Sequence, residues 1–480
     1  MNWLDNVISF ISPEAGYRRA AFRNAMAYDA GSFDRLNAAW SVFNDSAERM
    51  DGASRDIVRA RARDLERNSD IMNSVTSSFR RNVFGAGYFL RARTENEEMN
   101  KLIEQSWKRW CKKQNCDITG MQSFNQMMRM AVNRKKIDGG ILFVKLYTKD
   151  TFVPFKLQAI EVDELDSALS LNAPKGEKIV NGIRYNEYNK PVGYYIRQYS
   201  PDGFTQVQPV YVPAKNVIFY MTKRRPSQLR EMSDMAPTIT RIRDINEFMT
   251  AVSVKERIEA CLSVFIKKSL PPSGIGRSSE GKAENHDYNG KMLTPGMIRE
   301  MNPGDSVDIV NPSGQSTDAT SFTKLQQRLV GSGQGLSYET TSRDMSETNY
   351  SSARQGMIED ELTYQEDVEL LMEIMDEIYE TFVISCYLAG IIDIADFWQN
   401  KEKYLAHEWI KAPKKWIDPM KESSANKVAL ETGQKTYLQI CAENGKDYRE
   451  QIDEMALAAE YAASKGITIG GAKNAASEGT

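Results

Sequence analysis

Apolar residues recur at helical spacing in some stretches of this chain and alternate in others, so the pattern predicts a mixed fold. Over residues 54–82, Ile57, Leu65, Met72, Val75 and Phe79 fall near a 3.6-residue period, which predicts a helix. Ser54 reads as its N-cap with Asp56 in the first turn, and Gly85 and Gly87 end it. Residues 88–93 read as a strand. Residues 97–111 form a second helix with Leu102, Ile103, Trp107 and Trp110 on its apolar side, and residues 121–134 a third. Strand patterns dominate residues 139–220, at 141–147, 193–199 and 216–221. Turns are marked by Asn181-Gly182, Asn189-Lys190-Pro191 and Pro201-Asp202-Gly203. The first half is therefore expected to be α+β with antiparallel hairpins.

The pattern changes at Pro237. Ile239, Ile242, Ile245, Phe248, Val252, Ile258, Leu262 and Phe265 predict one amphipathic helix over 238–268, about 45 Å long at 1.5 Å per residue. A helix that long in a water-soluble chain usually packs on copies of itself or lines an assembly. Residues 271–314 are rich in Gly, Pro, Ser and Asn and read as a small insert with short strands such as 306–310. A shorter helix at 322–330 follows, then Gly331, Gly333 and Gly335, then a very long helix over 349–388 closed by Gly390. A last helix is expected from about 447 to 464, before a Gly/Ala/Ser-rich tail. Residues 1–50 mix aromatics with Arg18, Arg19 and Arg23. They read either as an arm that packs on a neighbour or as a first helix plus loop.

Composition narrows the class. The 480 residues suit roughly three domains. With 41% hydrophobic and 26% charged residues the chain can bury a sizeable core. Its 62 basic and 65 acidic residues give a net charge of −3, which does not suit a protein that wraps a duplex tightly. Five scattered cysteines argue against a disulfide framework. With only His286 and His407 to add, no metal site is expected. The longest apolar run, 382–392, is too short to span a bilayer.

Catalytic signatures are missing. There is no G-x-x-x-x-G-K-[ST] loop, and Gly331-Ser332-Gly333-Gln334-Gly335 follows a helix and lacks dinucleotide-binding spacing. There is no nucleophile elbow, and His407-Glu408 lacks a second histidine. No catalytic residue, cofactor or enzymatic activity is expected. Charge is more informative. Between 355 and 388 lie ten acidic residues, including Glu359, Glu366 and Glu369, and no Lys or Arg. Carboxylate clusters can hold two metals for nuclease chemistry. These spread around one helix, which reads as a solvated or subunit-facing surface. The run Arg55, Arg59, Arg61, Arg63, Arg67 is its natural counterpart. A ring would set Glu366 and Glu369 of one subunit against Arg55, Arg59 and Arg63 of the next. Lys267, Lys268, Arg277, Lys324 and Arg328 flank the insert and read equally as loose phosphate contacts or as solvent-exposed helix ends.

The most distinctive stretches are Gly335-Leu336-Ser337-Tyr338-Glu339-Thr340-Thr341-Ser342-Arg343-Asp344 and Asn349-Tyr350-Ser351-Ser352-Ala353-Arg354. Others are Arg63-Asp64-Leu65-Glu66-Arg67-Asn68 leading into Asn82-Val83-Phe84-Gly85, Arg225-Pro226-Ser227-Gln228-Leu229-Arg230, and Trp416-Ile417-Asp418-Pro419 with Lys421-Glu422 and Ala425. Together these stretches resemble the lambda family of phage portal proteins. Two positions depart from the family pattern. Gly445-Lys446-Asp447 stands where Gly-Arg-Asp is usual, and Ser227 stands where Gly is common.

The resemblance implies an α+β portal fold in a ring, usually of twelve subunits. Its parts are an arm at 1–50, a mixed wing at 51–236, a helical stem at 237–268 and 318–333, and a small α/β clip at 269–317. A channel loop at 334–348, a long wing helix at 349–412 and a helical crown with its tail at 413–480 complete it. The loop residues would be Gln334, Gly335, Leu336, Ser337, Tyr338, Glu339, Thr340, Thr341, Ser342, Arg343 and Asp344, read as a flexible Gly-Ser segment. DNA-facing candidates are Lys267, Lys268, Lys324, Arg328 and Arg343. The implied partners are double-stranded DNA, the terminase large subunit, a head–tail adaptor, and the major capsid and scaffold proteins, in the virion after assembly in the host cytoplasm. No membrane is implied. The alternatives are another ring-forming head–tail connector and a metal-dependent nuclease.

Overall fold

The structure, a computed structural model, describes residues 43–149, 151–169, 173–200, 208–260, 264–268, 305–309, 319–412 and 419–467, with residue 39 and residues 7–17 apart from 9. The chain divides into two compact units, Met1–Ala53 and Ser54–Thr480. In the first, α1 spans Ala47–Gly52.

The second unit opens on α2 (Arg55–Asn68) and α3 (Asp70–Phe79). The single helix expected over 54–82 is broken at Ser69, whose backbone is extended and whose hydroxyl accepts the Met72 N–H at 3.4 Å. Ser69-Asp70 is an N-cap signal in its own right, and it restarts the helix within an otherwise periodic run. A wide turn at Arg80–Phe84 then ends at Gly85 with φ +59. A Cβ there would lie 2.7 Å from the Arg81 carbonyl oxygen, so only glycine fits. β1 (Tyr88–Ala92), α4 (Glu97–Trp110), α5 (Lys113–Cys116) and α6 (Phe124–Asp138) follow. Ser123 and Gln126 close a capping box at the start of α6.

The sheets are small and antiparallel. β2 (Gly140–Leu146) lies between β3 (Lys156–Ile160) and β8 (Val217–Met221). β4 (Lys178–Val180), β5 (Ile183–Tyr185), β6 (Pro191–Ile196) and β7 (Val210–Pro213) form a four-stranded meander in that order. Its inner side joins a small core with Leu142, Val144 and Ile160. The segment 225–230 ties the layers together through buried Arg230, which donates to Glu231 at 2.7 Å and to the carbonyls of Asn181 at 2.6 Å and Val162 at 3.1 Å.

α7 spans Ile239–Ala260 and does not extend to 268 as the periodicity suggested. Residues Val264–Lys268 form β9 instead, paired antiparallel with β10 (Asp305–Ile309). The run Val264-Phe265-Ile266 has the β-branched and aromatic content that favours a strand once a partner is available. Lys267 and Lys268 therefore sit in a strand register opposite Ser306 and Asp305, not at a helix end. Most of the insert, with Arg277, lies outside the described residues.

α8 (Ala319–Gly333) packs on α7 through Phe248 and Phe322, ring centroids 4.5 Å apart, and an Arg241–Gln326 hydrogen bond of 2.8 Å. After α9 (Tyr338–Ser342), the helix α10 runs from Tyr350 to Leu388, capped by Asn349, whose side chain accepts the Ser352 N–H at 2.9 Å. At 1.5 Å per residue it is about 58 Å long. Its second half, with Leu371, Met375, Ile378, Tyr379, Phe382 and Val383, is buried in the main core. There Trp110 stacks on Phe155 at 5.2 Å, and Trp107 meets Phe382 at 5.1 Å. α11 (Lys401–Leu405) leads into β11 (His407–Lys411), which pairs with β1. α12 (Pro419–Glu431), α13 (Tyr437–Glu443) and α14 (Tyr448–Ser464) complete the described chain. Trp416, Ile417 and Asp418 lie outside it. Among the described residues no helix is long and apolar enough to cross a membrane.

Candidate functional site

The segment 334–348 was expected as a flexible loop, and the structure corrects that. It is a tied helical turn. Gln334 is buried, and its side-chain amide donates to the Asp234 carbonyl at 3.2 Å and to Thr238 Oγ1 at 3.1 Å, which anchors it to the start of α7. Gly335 has φ +69, and a Cβ there would lie 2.7 Å from Thr363 Oγ1, so the glycine is needed for close approach rather than for mobility. The Thr363 hydroxyl donates to the Gly335 carbonyl at 2.6 Å. Leu336 is buried in the main core.

Asp360 of α10 holds the next turn. Its carboxylate accepts the Ser337 N–H at 2.6 Å, the Ser337 hydroxyl at 2.8 Å and the Thr340 hydroxyl. Ser337 in turn caps α9, and Thr341 and Ser342 return their hydroxyls to the Tyr338 carbonyl at 2.9 and 2.8 Å. Arg343 takes the left-handed conformation, φ +59, that ends the turn. Hydrogen bonds from Ser346 hold the Asp344 carboxyl below its ordinary range. Glu339 accepts from Thr348 at 3.1 Å, so the segment closes on itself before α10 begins.

The cationic candidates separate in this frame. Lys324 is paired with Glu347 at 2.7 Å, and that bond raises its ammonium above the ordinary lysine range. Arg328 is exposed and lies over the Tyr338 ring at 5.3 Å. Arg343 is exposed and makes no ion pair among the described residues. Burial lowers the Arg81 guanidinium below its usual value, and the charges of Arg343 and Arg80 lower it further. Sequence reading missed Arg80 and Arg81. The packing of α9 on α3 brings them near Arg343.

Of the arginine run expected on α2, Arg55, Arg59 and Arg63 turn inward, while Arg61 and Arg67 stay exposed. Arg55 is buried and donates to the Glu231 carbonyl at 2.9 Å. Arg59 is buried between Asp163 at 2.9 Å and Glu231 at 3.1 Å. Arg63 bridges Asp138 at 2.7 Å and Asp163 at 2.6 Å. These side chains turn inward because the loops at 161–164 and 231–234 bring carboxylates to that face, and burial of an arginine requires such partners. Glu366 and Glu369 are exposed, and with Glu359 and Glu373 make no ion pair among the described residues. Other carboxylates of α10 are taken within the chain. Asp367 is buried with Lys135, with Lys136 at 2.9 Å, and Glu377 pairs with Lys145 at 2.6 Å. Burial alone would raise the Asp367 carboxyl, but Lys136 and Lys135 outweigh it and hold it below the usual range. Burial works against Lys135, but Asp234 and Asp367 lift it above the lysine range. Among the described residues no group of three or more His, Cys, Asp or Glu side chains is placed to hold a metal ion.

Residues 33–367 match the family model described as phage portal protein, lambda family. The chain belongs to that family. It is 25% identical over 431 residues to a probable portal protein of Halomonas phage phiHAP-1, covering 86% of this chain and 82% of the relative. It is 18% identical over 431 residues to portal protein B of Escherichia phage lambda, covering 82% of this chain and 81% of that one. A chain from the neck of an empty GTA particle superposes with a TM-score of 0.44 at 12% identity, over 80% of this chain and 93% of that chain. The segment tied down by Asp360 is thus part of a portal-family chain, and 334–367 lies inside the matched region.

Proposed function

We propose that the chain is the subunit of a ring at a capsid vertex through which double-stranded DNA is packaged and later ejected. In this reading residues 334–348 edge the passage. Residues 237–268 and 318–333 form a stem, 269–317 a clip that meets the terminase large subunit and then the head–tail adaptor, and 413–480 a crown. The parts 51–236 and 349–412 make the wing, and the arm at 1–50 lies against a neighbour. The ring, usually of twelve subunits in this family, assembles in the host cytoplasm with the major capsid and scaffold proteins and stays in the virion. It performs no catalysis and carries no cofactor.

Beside family membership, one observation carries this reading. The segment 334–348 is tied to α7 at Gln334 and to α10 at Gly335, Ser337 and Thr340, while Arg343 further along it is exposed. A clamped edge of this kind keeps its position under load. A few exposed cations contact phosphates, whereas six to ten such contacts per protein would cost about 10³–10⁵ in affinity between 50 and 200 mM salt and so mark a tight grip. A chain of net charge −3 avoids that grip. Lys324, paired with Glu347, contributes little free charge. Lys267, Lys268 and Arg328 remain candidates for the same loose contact.

Negative-stain images of the purified protein test the class, with rings bearing a central hole as the expected result. A compact monomer under all assembly conditions overturns the reading. Shortening 336–346 is expected to leave rings intact and block packaging or retention of DNA, and full packaging by that variant removes the segment's role.

A further inference from the structure

β1, α4 and the turn before α14 border a groove of 780 Å³, in which Phe89 stands 54% exposed with Leu90, Trp107 and Ile410 buried beneath. The rim is basic. Lys101, Lys108 and Lys112 follow one another at seven- and four-residue steps along one side of α4 and its end, and Lys446 faces the groove from the other wall. All four are exposed and make no ion pair among the described residues. The groove's two carboxylates, Glu104 and Glu450, are taken by Arg91 at 3.1 and 2.7 Å.

α10 presents the opposite arrangement. Leu362 is 62% exposed. Glu359, Glu366 and Glu369, three residues before it and four and seven after, share its face, with Glu373 one turn further. One surface is a hollow with an exposed phenylalanine, ringed by ammonium groups. The other is an apolar side chain ringed by carboxylates. They cannot meet within one chain. The groove's Trp107 packs on α10 at Tyr379 and Phe382, and Leu362 lies about 25 Å back along that helix.

We propose that the acidic face of α10 in one subunit docks on this groove in the next, seating Leu362 against Phe89 while Glu359, Glu366 and Glu369 meet Lys101, Lys108, Lys112 and Lys446. The contact uses two different surfaces, so it is head-to-tail, the kind of contact that builds a ring where its rotation closes, and it cannot give a two-fold dimer. The occupant is a second copy of this chain, argued from the matched charge and apolar patterns. The inference rests on the ring reading above and names its interface. It replaces the arginines of α2 as the counterpart of Glu366 and Glu369, and it gives Gly445-Lys446-Asp447 a place, since this turn forms one wall of the groove.

The test is assembly followed by native mass spectrometry and imaging of the full chain in four forms: wild type, Lys101→Glu with Lys108→Glu, Glu366→Lys with Glu369→Lys, and the quadruple variant. Like charges set against each other across an interface are strongly unfavourable. Each double variant is expected to raise the concentration at which half the subunits assemble by about tenfold or more, and the quadruple variant to bring it back towards wild type. The four side chains are exposed and unpaired, so the unfolding midpoint of the unassembled chain should stay at wild type in every form, which separates assembly from folding. Rings of wild-type yield from both doubles, or a quadruple no better than either double, overturn the proposal while the ring reading stands. Absence of rings from the wild type overturns both. Should the lysine double form rings as the wild type does but lose binding of a fluorescent DNA duplex, the groove serves phosphates and the proposal falls.

Discussion

The core around α4, α6 and the second half of α10 and the paired helices α7 and α8 both come from strongly periodic sequence, yet they end in opposite states. In the first, Trp110 is 0% exposed, its indole N–H donates to the Phe155 carbonyl at 2.7 Å, and Phe124, Phe155 and Phe382 surround it. In the second, Phe248 and Phe322 meet, but Met249, Val254, Leu325 and Leu329 stay exposed, Leu325 at 53%. Leu325 and Leu329 follow Phe322 by three and seven residues, so α8 leaves part of its own apolar stripe uncovered in the single chain. The first region is complete in a single chain and the second is not covered in it.

The contrast can be broken most sharply at its complete end. Trp110→Ala is expected to cost the unassembled subunit about 3–5 kcal/mol in denaturant unfolding, from lost transfer energy plus a cavity. A variant with an unchanged midpoint would mean that this core does not carry the fold. Next comes the buried cluster that fastens α6 to α10. Asp367→Asn removes one carboxylate facing Lys135 and Lys136, and leaving buried charge poorly compensated typically costs about 3 kcal/mol or more.

That cluster also sets a pH dependence. Asp367 is held below its ordinary value, so its contribution is fully present at neutral pH and is lost as pH falls through the folded value, below about pH 4. Lys135 is held above its ordinary value, so its contribution persists through neutral pH and is lost only in strong alkali. Urea titrations between pH 3 and 7 should therefore show a steeper acid loss for wild type than for Asp367→Asn. Parallel curves would remove the cluster from the account.

A smaller effect is expected at the clamp. Asp360→Ala deletes the acceptor for Ser337 and Thr340 and should cost about 1–3 kcal/mol. Limited proteolysis should then cut within 336–346 sooner than in wild type, and equal cutting rates would show that the turn holds itself. The smallest change in stability belongs to the incomplete region. Leu325→Ala with Leu329→Ala should leave unfolding of the unassembled subunit within about 0.5 kcal/mol of wild type while ring yield drops. Normal yield would mean those faces have no partner.

Much of this architecture was legible as pattern. Although β3 was not read, the long helix from Tyr350, the last helix beginning after Asp447, and the strands β2, β6 and β8 follow from periodicity and turn signals that act within a few residues. So does membership of the portal family, which the motifs between 335 and 354 carry. Asp360 and Asp367 were missed, since all ten acidic residues of this helix were read as one solvated or subunit-facing surface. The signal that sets these two apart is their place on the face of Tyr364, Leu371 and Met375.

What the sequence determined by itself was local: where helices start, where turns fall, which side of each helix is apolar, and which family these choices belong to. Tertiary structure decided where charge goes. Arg55, Arg59 and Arg63 of α2 look like an open face until Asp138, Asp163 and Glu231, brought from far along the chain, close over them. A glycine-rich segment looks slack until one aspartate on another helix fixes it. A valine-phenylalanine-isoleucine run looks helical until a partner strand arrives. In each case the deciding energy is an interaction between residues distant in sequence, which no local pattern encodes.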